Sequence, residues 1–352
     1  MLQNIRLQHF RSYDDASFEL VPGVNIIVGP NASGKTNLLE AILVLAHGSS
    51  FRAHDTELVA LGKDWARLDA FVDGTERIVK LVREPKPEKS YDIGGRVYRR
   101  LSIQDELPVV LFEPNHLQLL SGPPEGRRSY LDELLAQMVI GYGTVIRDYR
   151  RVLAQRNRLL KSHRTLTEQL FPWNVRLSEL GARIARQRLQ LTELIDSRAG
   201  ELYRDLARSD TVVAVRYRIA AQSEQYESTM LQQLEQRLPD DINRGYTSFG
   251  PHREDFEVLF NGHPAADVAS RGEIRTFVLG AKIIELDILE ERRGQKPLVL
   301  LDDVFSELDA ARRRALTAHL NDYQTFITTT DADIIARHFA EGSNVIPIAI
   351  TV

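Results

Sequence analysis

Gly29-Pro30-Asn31-Ala32-Ser33-Gly34-Lys35-Thr36 spells G-x-x-x-x-G-K-[ST], the pattern of a phosphate-binding loop. The glycines let the backbone wrap tightly enough to turn successive N–H groups toward phosphate oxygens. Lys35 adds a point charge for the β- and γ-phosphates, and the Thr36 hydroxyl is placed to ligate Mg²⁺. Val24-Asn25-Ile26-Ile27-Val28 predicts a strand running into the loop, and Asn37-Leu38-Leu39-Glu40-Ala41-Ile42-Leu43 a helix running out of it. The N-terminal dipole of that helix faces the same anion. Gly29 to Asn37 are therefore the predicted nucleotide-binding residues, with ATP and Mg²⁺ as the expected ligands. Arg52, in the loop His47-Gly48-Ser49-Ser50-Phe51-Arg52, is near enough in sequence to reach back to the phosphates; a surface arginine is the alternative.

The other half of such a site is an acid at the end of a buried strand. Leu298-Val299-Leu300-Leu301-Asp302-Asp303 has that form. Asp302 is the expected metal ligand beside Thr36, and Asp303 is placed to orient or deprotonate the attacking water, with Lys35 as the other catalytic group. Lys35 and Asp302 lie 267 residues apart. Compact P-loop folds close this gap sooner, so a large insertion separates the halves.

Composition bounds the rest. The 352 residues are 43% hydrophobic and 27% charged, as in a folded soluble protein of one large or two smaller domains. With no cysteine, disulfides, thiol catalysis and Cys-based metal sites are excluded. No apolar run is long enough for a membrane span, and Met1-Leu2-Gln3-Asn4-Ile5-Arg6 has no signal-peptide core, so a cytoplasmic location is expected. A net charge of −4 argues against a uniformly basic nucleic-acid binder but leaves local patches open. No clustered His/Asp metal signature outside the P-loop machinery suggests a nuclease.

Taken in order, residues 1–28 predict two strands with a turn at Ser12-Tyr13-Asp14-Asp15, then the strand into the P-loop. Residues 66–100 alternate as short strands with turns at Asp73-Gly74 and Gly94-Gly95, predicting an antiparallel lobe over about 63–107. Pro108-Val109-Val110-Leu111-Phe112 predicts a buried strand. Residues 129–207 carry apolar positions at helical spacing. They predict two antiparallel helices of about 30 residues and about 45 Å, weakened at Gly141 and Gly143 and broken near Phe171-Pro172. Arg147, Arg150, Arg151, Arg156, Arg158, Lys161 and Arg164 face a single acid, Asp148, giving a local +6. A solvated helix face is the plain reading; contact with a nucleic-acid backbone, through Arg147, Arg150, Arg151 and Arg158, is the functional one. Strands resume at Thr211, and a long helix is predicted over Glu273–Glu291. The fold class is thus an α/β ATPase head (1–115 and 208–352) with an antiparallel lobe and an inserted helical domain (116–207).

Ala269-Ser270-Arg271-Gly272-Glu273, at the start of the long helix, resembles the signature motif of ATP-binding-cassette ATPases, with a helix N-cap as the alternative. In that superfamily the motif binds the γ-phosphate held by the other subunit. Arg271 and Glu273 depart from its common form. Ser306-Glu307-Leu308-Asp309 resembles the D-loop that crosses the dimer interface, and Gln118 is assigned as the Q-loop residue at the metal. Thr325-Phe326-Ile327-Thr328-Thr329-Thr330 ends in threonine where many cassette ATPases carry histidine, and Asp303 replaces the usual glutamate. Both departures imply slow hydrolysis. Phe10-Arg11-Ser12-Tyr13, Thr36 to Ile42, Ser50-Phe51-Arg52, Gly126-Arg127-Arg128-Ser129-Tyr130-Leu131-Asp132, Gly250-Pro251-His252-Arg253 and Leu301 to Asp309 together resemble the RecF family, from residue 1 to about 330. That resemblance implies an ATP-gated homodimer that closes on double-stranded DNA at single-strand junctions, acts with RecO and RecR to load RecA, and releases DNA on hydrolysis. Another SMC-like ATPase and a transporter's nucleotide-binding subunit are the rival readings. In the latter the P-loop and signature lie much closer together than Lys35 and Ser270 do.

Overall fold

The computed structural model describes residues 1–162, 167–331 and 343–349. The chain divides into two compact units, 1–116 with 285–352 and 117–284.

In the first unit, five strands form an all-parallel sheet in the order Asn344–Pro347, Val24–Val28, Thr325–Thr329, Leu298–Leu301, Val109–Phe112. The three central strands are almost continuously buried, as strands covered on both faces must be, whereas the edge strand Asn344–Pro347 buries only Ile346. A second, antiparallel sheet runs Tyr13–Glu19, Leu2–Phe10, Trp65–Val72, Thr75–Val82, Glu88–Ile93, Arg96–Tyr98. The lobe expected at 63–107 therefore also contains the N-terminal hairpin. Alternation decides this: Ile5 pairs Ala70 and Leu7 pairs Leu68, so the buried face of Leu2–Phe10 continues that of Trp65–Val72. The hairpin turns at Arg11-Ser12, starting one residue before the expected turn and overlapping it at Ser12.

The P-loop helix, Lys35–His47, lies in the core shared by the two sheets. Leu38, Leu39, Ala41, Ile42, Val44 and Leu45 are all buried, so it is apolar nearly all round rather than along one stripe. Its C-terminal end is fastened by Arg77, whose guanidinium donates to the Leu45 (2.8 Å) and Ala46 (3.2 Å) carbonyls, groups with no partner inside the helix.

The second unit packs three helices, Pro124–Met138, Tyr142–Leu160 and Thr167–Ala207, with a small antiparallel sheet of Val213–Arg218, Asp255–Phe260 and His263–Pro264. The division at 284/285 takes this unit past the 116–207 expected for the insertion, because Thr167–Ala207 packs directly on Val213–Arg218. The predicted break at Gly141 is present, with φ 80° at that residue. The break predicted near Pro172 is not: a 41-residue helix runs through it. Pro172 lies in the second turn and is exposed, so the carbonyl it leaves unbonded can be hydrated.

The +6 stretch also resolves. Arg147, Arg150, Arg151 and Arg158 are exposed, whereas Arg156 is completely buried and Arg164 lies outside the described residues. Arg156 bonds Asp241 (2.8 Å), Asn174 (2.7 Å), Thr247 (2.7 Å) and the Leu234 carbonyl (3.2 Å). It is a structural cation, not part of a solvated face.

Candidate nucleotide site

The P-loop turns through left-handed backbone at Ala32 (φ 64°) and Gly34 (φ 102°), the latter being the N-cap of the helix. A Cβ at Gly29 would fall 2.5 Å from the Ile348 carbonyl oxygen, and one at Gly34 2.8 Å from the Ser12 hydroxyl, so both positions need glycine. Lys35 is buried, and its ammonium donates to the Gly29 and Pro30 carbonyls at 3.0 Å each. The buried Ser33 hydroxyl has no partner among the described residues, a donor left for an anion in the loop.

The two halves of the predicted site meet. Thr36 Oγ1 donates to Asp302 Oδ1 at 2.9 Å. This hydroxyl and carboxylate are the pair that would hold Mg²⁺, which supplies charge to the β- and γ-phosphate oxygens when bound. Asp303 has a left-handed backbone (φ 53°) at the head of the short helix Val304–Glu307. Its position is set by Thr328, which sequence reasoning missed. The buried Thr328 hydroxyl donates to Asp302 Oδ1 (2.9 Å) and accepts from the Asp303 N–H (2.8 Å), tying both acids to the neighbouring strand.

A second missed residue is Glu40, fully buried one turn beyond Thr36. Arg11 donates to it through Nε and Nη2, both at 2.8 Å, Arg52 through Nη2 at 3.0 Å, and the Ser50 hydroxyl adds another bond. Burial opposes ionisation of this carboxyl, but the Arg11, Arg52 and Ser50 hydrogen bonds outweigh it and hold its pKa below the ordinary value. Asn37 accepts from Arg52 (2.6 Å) and donates to Ser12 (2.8 Å), while the Tyr13 hydroxyl donates to the Gly34 carbonyl (3.0 Å). The Phe10–Tyr13, Thr36–Ile42 and Ser50–Arg52 motifs thus converge on one anion beside the P-loop. Arg52 is placed there on Asn37 and Glu40. The one sequence signal for Glu40 was a lone acid within an otherwise apolar helix.

The remaining predicted residues are spread over both units. In the second, Ser270 and Glu273 form a reciprocal cap: the Ser270 N–H donates to Glu273 Oε2 (2.8 Å) and the Glu273 N–H to Ser270 Oγ (3.3 Å). This opens the helix Arg271–Arg293 and explains the glutamate at the end of the motif. Gln118 ends a short 3-10 turn in the same unit, its carbonyl accepting from Gly122. In the first unit, Asp309 caps the helix Ala310–Leu320 by accepting from the Arg312 N–H (2.9 Å), the main reason its pKa is lowered. The side chains of Ser306 and Glu307 lie outside the described residues.

Residues 1–346 match the family described as the RecF/RecN/SMC N terminal domain. A DNA replication and repair protein RecF of Heliobacterium modesticaldum is 36% identical over 94% of this chain and 92% of its own. One of Moorella thermoacetica is 35% identical over 99% and 95%. A solved structure described as the recombination mediator protein RecF-ATPrS in the RecFOR pathway superposes with TM-score 0.89 at 30% identity, covering 99% of this chain and 96% of that one. An Smc head bound to the C-winged helix domain of ScpA, at 16% identity and TM-score 0.52, shares the fold. Matched over nearly its whole length by the family model, the curated relatives and the solved structure, the protein belongs to the RecF family.

Proposed function

We propose that this chain is an ATP-dependent double-stranded DNA-binding protein of replication and recombinational repair, acting in the SOS response as an ATP-gated dimeric clamp. The contact that carries the reading is Thr36 on Asp302, which brings the P-loop and the acid strand into one phosphate-and-metal site. ATP binding draws the Lys35 ammonium off the Gly29 and Pro30 carbonyls onto the β- and γ-phosphates. Asp303, held by Thr328, orients water for attack. Two subunits each present the Ser270–Glu273 helix start to the other's nucleotide, and the closed dimer grips DNA, with single-strand junctions the preferred site. Hydrolysis is slow, below ~1 s⁻¹ and so at the low end of enzyme turnover, and opens the dimer as a switch. Family membership and the RecFOR pathway to which the similar structure is assigned support RecO and RecR as partners, and RecA is the protein we take to be loaded. No described helix is long and apolar enough to cross a membrane; the cytoplasm is the location that goes with work at DNA.

Sedimentation velocity of a labelled duplex with this protein, in ATP and then ADP, tests the proposal. Two subunits per duplex with ATP, lost in ADP, is the expected outcome; dimers that leave the duplex behind would refute the DNA clamp. Ser270→Arg is expected to keep ATP binding and lose the ATP-dependent dimer, and a dimer unchanged by it would remove the role in trans.

A further inference from the structure

Two of the sequence motifs have no part in the nucleotide site, and the fold brings them together in the second unit. Gly126 to Asp132 lies in the helix Pro124–Met138, and Gly250 to Arg253 in the turn before Asp255–Phe260. Between them and the helices Tyr142–Leu160 and Thr167–Ala207 is a cavity of about 560 Å³, lined among others by Arg128, Ser129, Tyr149, Arg150, Arg188 and His252. That size suits a nucleotide-sized group rather than a lone ion.

The charges in its wall do not cancel locally. Arg188 is buried and committed, giving Nε and Nη2 to Asp132 (2.8 and 2.9 Å) and Nη1 to the Pro251 carbonyl (2.7 Å). Asp132 is used up by this pair and by the Tyr142 hydroxyl (2.7 Å). The nearby Glu254 carboxylate is buried and accepts from Tyr217 (2.7 Å), Tyr226 (2.8 Å) and the Ala220 N–H (2.9 Å). His252 adds no charge, because its Nδ1 accepts from the Tyr149 hydroxyl (2.6 Å) while Nε2–H donates to the Thr247 carbonyl (3.1 Å). Arg128, by contrast, spends one donor on the Glu254 carbonyl (3.0 Å) and has no carboxylate partner among the described residues. Burial and the neighbouring Arg188 cation weaken its hold on its proton, and the more distant Asp255 and Glu125 carboxylates offset this only in part. Arg150 is exposed and likewise without an acid partner, and Glu125, also lining the cavity, is exposed to solvent. A guanidinium placed beside another cation with free donors is the arrangement that a phosphate relieves. Ile146, Leu153 and Ile184 supply an apolar wall for whatever the phosphate is attached to.

We propose that this cavity holds a backbone phosphate and its sugar from a polynucleotide, bound by Arg128, Arg150 and Ser129. The inference rests on the DNA-binding reading above. It gives the exposed arginines of the same helix, Arg147, Arg151 and Arg158, an anchored end: they meet the backbone from solvent, and the cavity fixes one phosphate in register.

The test uses the full chain saturated with ATP, so that the P-loop is occupied, and a short labelled duplex titrated at several salt concentrations. Arg128→Gln is expected to weaken binding roughly fivefold and to lower the salt slope by about 1. Leu153→Trp fills the cavity without changing charge and is expected to weaken binding by a similar factor. Unchanged ATP affinity in both variants shows that the chain still folds. Wild-type affinity and slope in both variants would overturn the proposal while leaving DNA binding intact. A wild-type protein that binds no duplex at all would overturn the DNA reading itself. Deoxyadenosine monophosphate is added as competitor at matched ionic strength to separate the sources. Displacement of the duplex by the mononucleotide from wild type but not from Arg128→Gln would assign the cavity to free nucleotides and overturn the polynucleotide assignment; no displacement supports it.

Discussion

The two units centre their largest polar networks on buried ions of opposite sign, although each also buries the other sign, Lys35 and Arg77 in the first and Asp241 and Glu254 in the second. In the first, the fully buried ion is Glu40, an acceptor encircled by Arg11, Arg52 and Ser50, which come from stretches on both sides of the P-loop. In the second, the buried ions at the centre are arginines: Arg156 among Asp241, Asn174 and Thr247, and Arg188 on Asp132. A carboxylate has only two oxygens to saturate, so Glu40 can gather several partners while leaving them other donors. Arg52 and Asn37 remain coupled to one another next to Thr36. A guanidinium must find acceptors for five N–H groups, so Arg156 and Arg188 draw helices, strands and turn carbonyls into fixed positions. The first network is suited to moving with a ligand, the second to holding a shape.

This contrast is testable at its largest expected effect. Arg156→Ala leaves the buried Asp241 without its cation, with only the Ser248 N–H donating to it among the described residues, and is expected to cost about 3–5 kcal/mol of unfolding free energy. ATP affinity of the folded fraction should not change. Glu40→Ala strands Arg11 and Arg52 and is expected to destabilise the protein too, but these arginines reach solvent, so the loss should be smaller. It should also weaken ATP binding, because Arg52, Asn37 and Ser12 lose their common anchor. Urea titrations with and without ATP measure both terms. Equal ATP affinity in the two variants would erase the distinction between the networks.

A smaller effect comes from one half-buried histidine in each unit. Burial is the main cause that lowers His47 and His252 to a pKa of about 4, and His252 is further committed as a neutral ring between Tyr149 and Thr247. In the unfolded chain both would take up protons below about pH 6.5. The native state does not until about pH 4, so their contribution is complete above pH 6.5 and is lost as the pH falls toward 4. Each ring is worth up to about 3 kcal/mol on this basis. Glu106, whose carboxyl burial pushes up to about 7, keeps a native proton over the same range and offsets one of these. Unfolding free energy followed from pH 7 to 5 should therefore fall with a slope approaching one proton. A flat profile there would mean that one or both rings titrate normally.

Much of the nucleotide site was legible because its signals are local. A strand, a glycine loop and a helix follow one another within about twenty residues, and a continuous apolar strand ends in its acids. The cap of the helix at Arg271 was legible as well, since Ser270 and Glu273 have the spacing of a reciprocal cap. The buried charges were not. Arg156 sits in a run of exposed arginines and differs from them only through Asp241 and Thr247, 85 and 91 positions away. Glu40 is explained by residues on both sides of it, at Arg11 and Arg52. Pro172 read as a helix end because its exposure, which makes it tolerable, depends on what the helix packs against. The N-terminal hairpin joined the β lobe through pairing with a strand some sixty residues on, a partner choice that alternation permits without specifying.

Thr328 offers the finest test, since it belongs to the first unit yet acts by fixing shape as the second unit's arginines do. Its hydroxyl touches Asp302 and the Asp303 N–H, so it is a positioning residue for the acid proposed to hold metal and the acid proposed to orient water. Thr328→Val keeps the β-branched shape that a buried strand favours and deletes those bonds and a long one to the Leu301 carbonyl (3.4 Å). Asp302 retains its bond from Thr36, so ATP affinity should change by less than about twofold. The left-handed backbone at Asp303 loses one restraint, and turnover is expected to fall roughly tenfold, about 1.4 kcal/mol in the barrier. Thr328→Ser restores the hydroxyl and should recover most of the rate, a rescue that general loosening of the strand would not produce. Turnover unchanged in Thr328→Val would mean that Asp303 is held by its own helix and that shape-fixing by polar side chains is confined to the second unit.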